Sequence, residues 1–219
     1  MKNVNTATII NQRGENNQAW FKHWFDSSFY HQLYANRDEK EAAAFIDELI
    51  NELQPAAHSR MLDLGCGTGF AALPFRPFSD WMVGVDLSPA MLAQARAKGL
   101  YDRLIESEGL AFLADEAKIK ARYHLVLAAD VFTYLDDLAP VLAAIAPVLA
   151  TPGQLAFSVE THEGDGITLR ETLRYAHGKA HVQAALAAAG LKPMSLEFAS
   201  TRAEKGVPVP GLIVVAGSA

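Results

Sequence analysis

A chain of 219 residues, half of them hydrophobic and a fifth charged, has the length of one globular domain with a modest extension and enough apolar side chains to bury a core. Its 19 basic residues against 25 acidic ones leave a formal charge of −6, which disfavours a partner held mainly through phosphates, such as nucleic acid, because that binding needs a basic face. The single cysteine, Cys66, excludes an intrachain disulfide and a four-cysteine zinc site. No apolar run approaches the roughly 18 residues of a membrane span, and residues 1–20 hold no stretch long enough for a secretory signal. A soluble, cytoplasmic protein with no membrane partner is expected, as monomer or homodimer.

Residues 1–19 are polar and aperiodic and read as a loose arm. Trp20, Trp24, Phe25, Tyr30, Leu33 and Tyr34 then recur at roughly helical spacing, with a break near Asp26-Ser27-Ser28. Asp38 can cap a second helix whose apolar positions Ala42, Phe45, Ile46, Leu49, Ile50 and Leu53 repeat every three or four residues until Pro55 ends it. The chain divides accordingly into an N-terminal helical segment, 1–55, and a second domain, 56–219.

From residue 60 the pattern changes. Arg60–Leu64 is a strand that runs into a glycine cluster, and Trp81–Val85 is a second strand, ending at Asp86. Ser88-Pro89 supplies a cap and a first-turn proline for a helix that closes at Gly99. Leu104–Ile105 and Tyr123–Ala128 are the third and fourth strands, and Leu138–Leu149 is helical. Thr151-Pro152-Gly153 is a turn before a fifth strand, Gln154–Val159, and His181–Ala189 is a helix stopped by Gly190. Pro193–Phe198 and Leu212–Ala216 have no helix between them and can pair as an antiparallel hairpin at one edge. Alternation of strand and helix from 60 to about 190 is the signature of a parallel sheet with helices on both faces. The irregular stretch 161–180 is where a substrate loop is expected.

The segment Gly65-Cys66-Gly67-Thr68-Gly69 follows the first strand, and Asp86 closes the second. Glycines there let a ligand approach bare backbone, and a carboxylate at the end of the next strand can accept two hydrogen bonds from a ribose diol. This is the wiring of a nucleoside-containing cofactor site. The dinucleotide fingerprint needs a third glycine where this chain has Phe70, so an NAD-dependent oxidoreductase is the weaker reading.

With those residues in place, DLGCGTG (63–69) and VGVDLSPAML (83–92) resemble motifs I and II of class I S-adenosylmethionine-dependent methyltransferases. VLAADVFTYL (126–135) resembles their fourth-strand motif, and LATPGQLAFSVE (149–160) their helix–turn–fifth-strand segment. The C-terminal part, with Arg174-Tyr175-Ala176-His177 and VPVPGLIVVA (207–216), is similar to bacterial methyltransferases associated with tetratricopeptide repeats, although no repeat is present here. The N-terminal FKHWFDSSFYHQLYANRDEKEA resembles the opening helices of another bacterial methyltransferase group.

The resemblance implies a Rossmann-like, doubly wound α/β fold: a seven-stranded, mostly parallel sheet with an antiparallel edge strand and an N-terminal helical lid. It implies that Asp63 helps hold the methionine ammonium of S-adenosylmethionine, that Gly65, Cys66, Gly67 and Gly69 form the cofactor loop, that Asp86 binds the ribose, and that Leu87 packs on the adenine. Glu108 stands where relatives often have an aspartate for the adenine amino group. Asp130 borders the methyl group and the acceptor. Tyr34 and Arg37 are candidates for the lid's contribution to the cofactor.

Tyr175 and His177, two residues apart, can face one cavity, and His177 is a candidate general base if the acceptor is a hydroxyl or amine. The alternative is that Arg174, Tyr175 and His177 only fix the loop. The histidines show no metal-ligand spacing, so no catalytic metal is expected. The expected reaction is methyl transfer from S-adenosylmethionine to an oxygen or nitrogen of a small molecule, leaving S-adenosylhomocysteine. A protein acceptor and a non-catalytic S-adenosylmethionine-binding module stand as alternatives.

Overall fold

The computed structural model describes residues 49–204 and 206–218; the N-terminal arm, the first expected helix and most of the second lie outside them. Residues 49–53 are helical, and Pro55 follows them. Its Leu49 and Leu53 are buried in one cluster with Met61, Phe75 and Met82.

Strands and helices then alternate: β1 (Ser59–Leu64), α1 (Ala72–Phe75), β2 (Ser79–Asp86), α2 (Pro89–Lys98), β3 (Arg103–Glu106), α3 (Gly109–Lys118), β4 (Tyr123–Ala128), α4 (Ala139–Ile145) and β5 (Leu149–Glu160). Two short strands, β6 (Ile167–Leu169) and β7 (Tyr175–His177), precede α5 (Lys179–Ala188), and β8 (Leu191–Glu204) and β9 (Val207–Ser218) follow it. Strands β3-β2-β1-β4-β5 are parallel neighbours in that order. Strand β9 is antiparallel to β5, and β8 is antiparallel to β9. The expected C-terminal hairpin therefore forms, and its second strand is the one inserted beside β5.

The stretch 161–180 carries more order than its irregular sequence suggests. Strands β6 and β7 pair antiparallel, and β7 adds one parallel pairing to β5, Glu160 opposite Ala176. Three residues per strand are too few for a period-2 pattern to register in sequence. Likewise β5 begins at Leu149, with Thr151-Pro152-Gly153 absorbed as an irregularity in its register against β4.

The alternation of side chains along each strand builds two cores, one per face of the sheet. Leu62, Val83, Val85, Val126, Leu155, Phe157, Leu212 and Val214 point to the face covered by α3, α4 and α5. Met61, Met82, Leu125, Leu127, Ala156, Ile213 and Val215 point to the other, where Phe75, Leu49 and Leu53 pack. Helix α2 is delimited as its sequence suggests: Ser88 Oγ accepts from Met91 N at 3.3 Å, Pro89 opens the helix, and Gly99 ends it in the left-handed conformation at φ 64°.

Glu116 on α3 is almost fully buried. It accepts from Arg103 Nη1 at 2.8 Å and from the Tyr123 hydroxyl at 2.7 Å, tying α3 to the start of β3 and of β4. A Tyr123→Phe variant leaves one buried carboxylate oxygen without this donor, a loss of about 1–3 kcal/mol. Urea unfolding should show a lowered midpoint with unchanged slope; an unchanged midpoint would contradict this role.

Candidate functional site

The chain runs outward from β1 through β2 to β3 and then crosses back to β4 on the other side of β1, so the strand order reverses between β1 and β4. In open α/β sheets the crevice beyond the carboxyl ends of the strands at such a reversal is where ligands bind. Here that crevice is formed by the loop after β1, Asp86 at the end of β2, and the residues following β4.

The loop is held by hydrogen bonds across the strand ends. Gly65 N and Cys66 N both donate to Val85 O, at 2.8 and 2.9 Å. Position 65 requires glycine twice over: φ is 72°, and a Cβ there would fall 2.3 Å from Val131 Cγ2. Gly67 N donates to Asp86 Oδ2 at 2.8 Å, and the other oxygen of the same carboxylate accepts from Ser88 N at 2.8 Å. A Cβ on Gly67 would meet nothing within 4 Å, so the loop presents open backbone at that point. Gly69 N closes the turn on Cys66 O at 2.8 Å.

Beneath the loop lies Asp63, 2% exposed, accepting from the Tyr101 hydroxyl at 2.6 Å. Burial raises its pKa, the Tyr101 hydroxyl opposes this, and the Asp86 charge adds to it, leaving the carboxyl pushed up to about 6. The Cys66 thiol is buried and pushed well above its ordinary range, first by burial and then by the charges of Asp63 and Asp86. It stays protonated and is no nucleophile. Leu87 is half-buried beside Asp86. Glu108 is the N-cap of α3, its two oxygens accepting from Leu110 N at 3.0 Å and Ala111 N at 2.8 Å. Ser107 N, next to it, bonds to Asp86 O at 3.1 Å, which brings the start of α3 to the same edge of the crevice.

Asp130 follows β4 with φ at 58°, and its amide donates to Ser158 Oγ on β5 at 2.9 Å. Its carboxylate is paired with Arg174 Nη2. Arg174 is itself buried, with Nε 2.6 Å from Glu160 Oε1, Nη1 donating to the Tyr134 hydroxyl at 2.9 Å, and the guanidinium 4.9 Å above the Tyr134 ring centroid. Arg170 flanks the far side: its Nε is 3.3 Å from Glu160 Oε2 and its Nη2 donates to Thr161 O at 2.6 Å. Two arginines and two carboxylates thus join the ends of β4 and β5 to the β6–β7 hairpin. Burying such charges is tolerable because each has a partner of opposite sign.

Tyr175 is half-buried on β7, opposite Leu169. His177 is completely buried, stacked on His181 with ring centroids 5.7 Å apart, its ring nitrogens near the backbone of Phe132 and Leu135 without a well-formed hydrogen bond. Burial, then the neighbouring His181, lowers its pKa to about 4. Tyr34 and Arg37 lie outside the described residues. Among the described residues no three or more His, Cys, Asp or Glu side chains are grouped to hold a metal ion.

The structure therefore brings Asp63, Gly65, Cys66, Gly67, Gly69, Asp86 and Leu87 together, sets Glu108 at the start of α3, and links Asp130 to them through Val131 against Gly65. It holds His177 in the interior. Tyr101, Ser158 and Glu160 were not singled out in the sequence. Glu160 had a usable signal, since it is an acid at a parallel-strand end, as Asp86 is. Tyr101 had none.

His177 sets a pH dependence. With its pKa at about 4 in the fold against 6.5 when unfolded, the unfolded chain binds more protons in that interval. The stabilisation is complete above pH 6.5 and is lost as pH falls through 4. A His177→Phe variant should lose less stability than the parent between pH 7 and 4.5 in urea titrations, whereas parallel profiles would contradict the assignment.

A family model described as a methyltransferase domain matches residues 34–192. Malonyl-[acyl-carrier protein] O-methyltransferase of Acetivibrio thermocellus is 29% identical over 144 residues, covering 64% of this chain and 48% of that protein. The chain spans about half the length, or less, of the curated relatives it matches. Among solved structures, 1,6-didemethyltoxoflavin-N1-methyltransferase of Burkholderia thailandensis, with 1,6-didemethyltoxoflavin and S-adenosylhomocysteine bound, aligns with a TM-score of 0.70 at 19% identity over 90% of this chain and 87% of its own. Magnesium protoporphyrin IX methyltransferase of Synechocystis PCC 6803, with S-adenosylmethionine bound, aligns at 0.66 and 15% identity over 91% and 96%. The family match extends over well over half the chain, and the glycine loop and Asp86 stand at the strand ends where the motifs placed them, so the chain belongs to the class I S-adenosylmethionine-dependent methyltransferases.

Proposed function

We propose that this protein transfers the methyl group of S-adenosylmethionine to an oxygen or nitrogen of a small molecule and releases S-adenosylhomocysteine. The observation that carries the reading is the Asp86 carboxylate bonded to Gly67 N in a loop whose backbone is open at Gly67. The donor set suits the cofactor. Asp63 is a carboxylate for the methionine ammonium, Gly65 and Gly67 offer backbone, and Asp86 has acceptor capacity for a ribose diol beyond its two amide bonds. Leu87 supplies apolar surface for a base, and Glu108 stands near the start of α3 for its amino group. Tyr34 and Arg37, outside the described residues, are proposed as further cofactor-binding residues, and the division into segments 1–55 and 56–219 is part of the same proposal.

When bound, S-adenosylmethionine supplies an already activated methyl group. What the protein contributes is orientation and exclusion of water, effects that together can be worth roughly 7–11 kcal/mol. The Asp130–Arg174–Glu160 network fixes the wall on the acceptor side, with Tyr134 held beneath Arg174. In this reading Asp130 shapes the acceptor pocket with its charge already balanced, and Tyr175 and His177 hold the hairpin that carries Arg174. The acceptor is a small molecule, in keeping with the acidic charge balance and with the relatives whose names specify small or carrier-bound acceptors. No helix among the described residues is long and apolar enough to cross a membrane. We place the protein in the cytoplasm, as a monomer or homodimer.

Titration calorimetry separates the cofactor readings. S-adenosylhomocysteine should bind and NAD should not; the reverse result would overturn the proposal. An Asp86→Asn variant should bind S-adenosylhomocysteine at least tenfold more weakly while keeping its circular dichroism, since a charge-assisted hydrogen bond is worth about 1.5–3 kcal/mol. A screen with radiolabelled methyl donor against metabolite and protein fractions then tests the acceptor class. Label in the metabolite fraction supports the proposal, and label only in protein contradicts it.

A further inference from the structure

Tyr101 lies two residues beyond Gly99, in the link between α2 and β3, and its ring occupies a slot made by two missing side chains. A Cβ on Gly84 of β2 would come within 2.8 Å of Tyr101 Cε1, and one on Gly69 of the loop within 2.9 Å of Cε2. The ring is therefore held between the strand and the glycine loop, and its hydroxyl reaches Asp63 Oδ2 at 2.6 Å. Asp63 stands opposite Gly84 on one side of β1 and opposite Leu127 on the other, so neither strand neighbour offers a polar group. The ionisable side chains acting on Asp63 are Tyr101 from the α2–β3 link and Asp86 from β2, and its own charge acts on Cys66 in the loop. Among the described residues no lysine or arginine forms an ion pair with Asp63.

We propose that Tyr101 is a positioning residue for cofactor binding: its hydroxyl aims the buried Asp63 carboxylate beneath the glycine loop for the ammonium of the methionine moiety. This rests on the methyltransferase reading of the site. A buried carboxylate with no cation beside it among the described residues pays a desolvation penalty that one neutral donor offsets in part. Burial pushes Asp63 up to about 6, and the Tyr101 hydroxyl is the group that holds it below a still higher value. An arriving ammonium supplies the missing positive charge. Had the slot held an arginine or lysine, the carboxylate would already be neutralised and less able to attract that ammonium. A tyrosine orients the carboxylate and leaves its charge in place.

A Tyr101→Phe variant keeps the ring in its slot and removes only the hydroxyl. Two ligands divide the outcomes: S-adenosylhomocysteine, which carries the ammonium, and 5′-methylthioadenosine, which lacks the amino-acid portion. In the variant, S-adenosylhomocysteine should bind at least fivefold more weakly at pH 7. The acid-side midpoint of its binding profile should rise by about one pH unit, and 5′-methylthioadenosine should change by less than twofold. Equal weakening of both ligands would assign Tyr101 to loop packing alone and overturn the proposal, as would no change in either. Carbon-13 titration of the Asp63 carboxyl in the ligand-free protein gives a second reading. The midpoint should be higher in the variant than in the parent, and identical midpoints would also overturn the proposal. If the parent binds no S-adenosylhomocysteine, the methyltransferase reading fails, while the carboxyl titration still decides whether Tyr101 governs Asp63.

Discussion

The Asp86 carboxylate is the point on which the crevice depends. Its two oxygens accept from Gly67 N and Ser88 N, so one side chain at the end of β2 fixes both the loop that follows β1 and the first turn of α2. The backbone reinforces it, because Gly65 N and Cys66 N share the carbonyl of Val85, the residue before. A loop with φ near 70° at Gly65 has little regular structure of its own, and these bonds to the neighbouring strand give it one shape. The close approach of Val131 to Gly65 then carries that shape across to the residues after β4.

Four of the carboxylates around the crevice fall into two electrostatic classes. Asp63 and Asp86 receive a tyrosine hydroxyl and backbone amides, neutral donors that orient a carboxylate and leave its charge available. Asp130 and Glu160 face Arg174 and Arg170, so their charge is balanced within the protein. The side of the crevice built on β1 and β2 thus carries carboxylates held by neutral donors, and the side built on β4 and β5 carries carboxylates paired with arginines. This division follows from where the chain places its arginines. Both sit on or beside the β6–β7 hairpin, whose strand β7 pairs with the end of β5.

Much of the fold was legible because each main element carries its own local signal. The strands of the central sheet are short apolar runs with period-2 faces, and α2 has Ser88, Pro89 and Gly99 at its ends. The glycine loop and Asp86 could be read as a pair because their spacing reflects one strand–loop–helix–strand unit. Other features depend on contacts that no local pattern encodes. Glu108 caps a helix that its sequence did not announce, since glutamate is not among the favoured cap residues. Asp130 was legible as a strand-end acid, but the arginine that balances it arrives 44 residues later. His177 two residues from Tyr175 suggests a pair facing one cavity, whereas the fold packs His177 in the interior against His181. Tyr101 resembles any aromatic in a link until the two glycines that admit its ring are brought together by the sheet.

The central claim is that the crevice formed by Asp63, the 65–69 loop and Asp86 is the S-adenosylmethionine site. A crystal structure of the protein grown with S-adenosylhomocysteine tests it most directly. The account predicts ribose hydroxyls on the Asp86 carboxylate, the ligand backbone along Gly65 and Gly67, and the amino group on the side of Asp63. Ligand density away from this crevice, or bound there with no contact to Asp86, would contradict it.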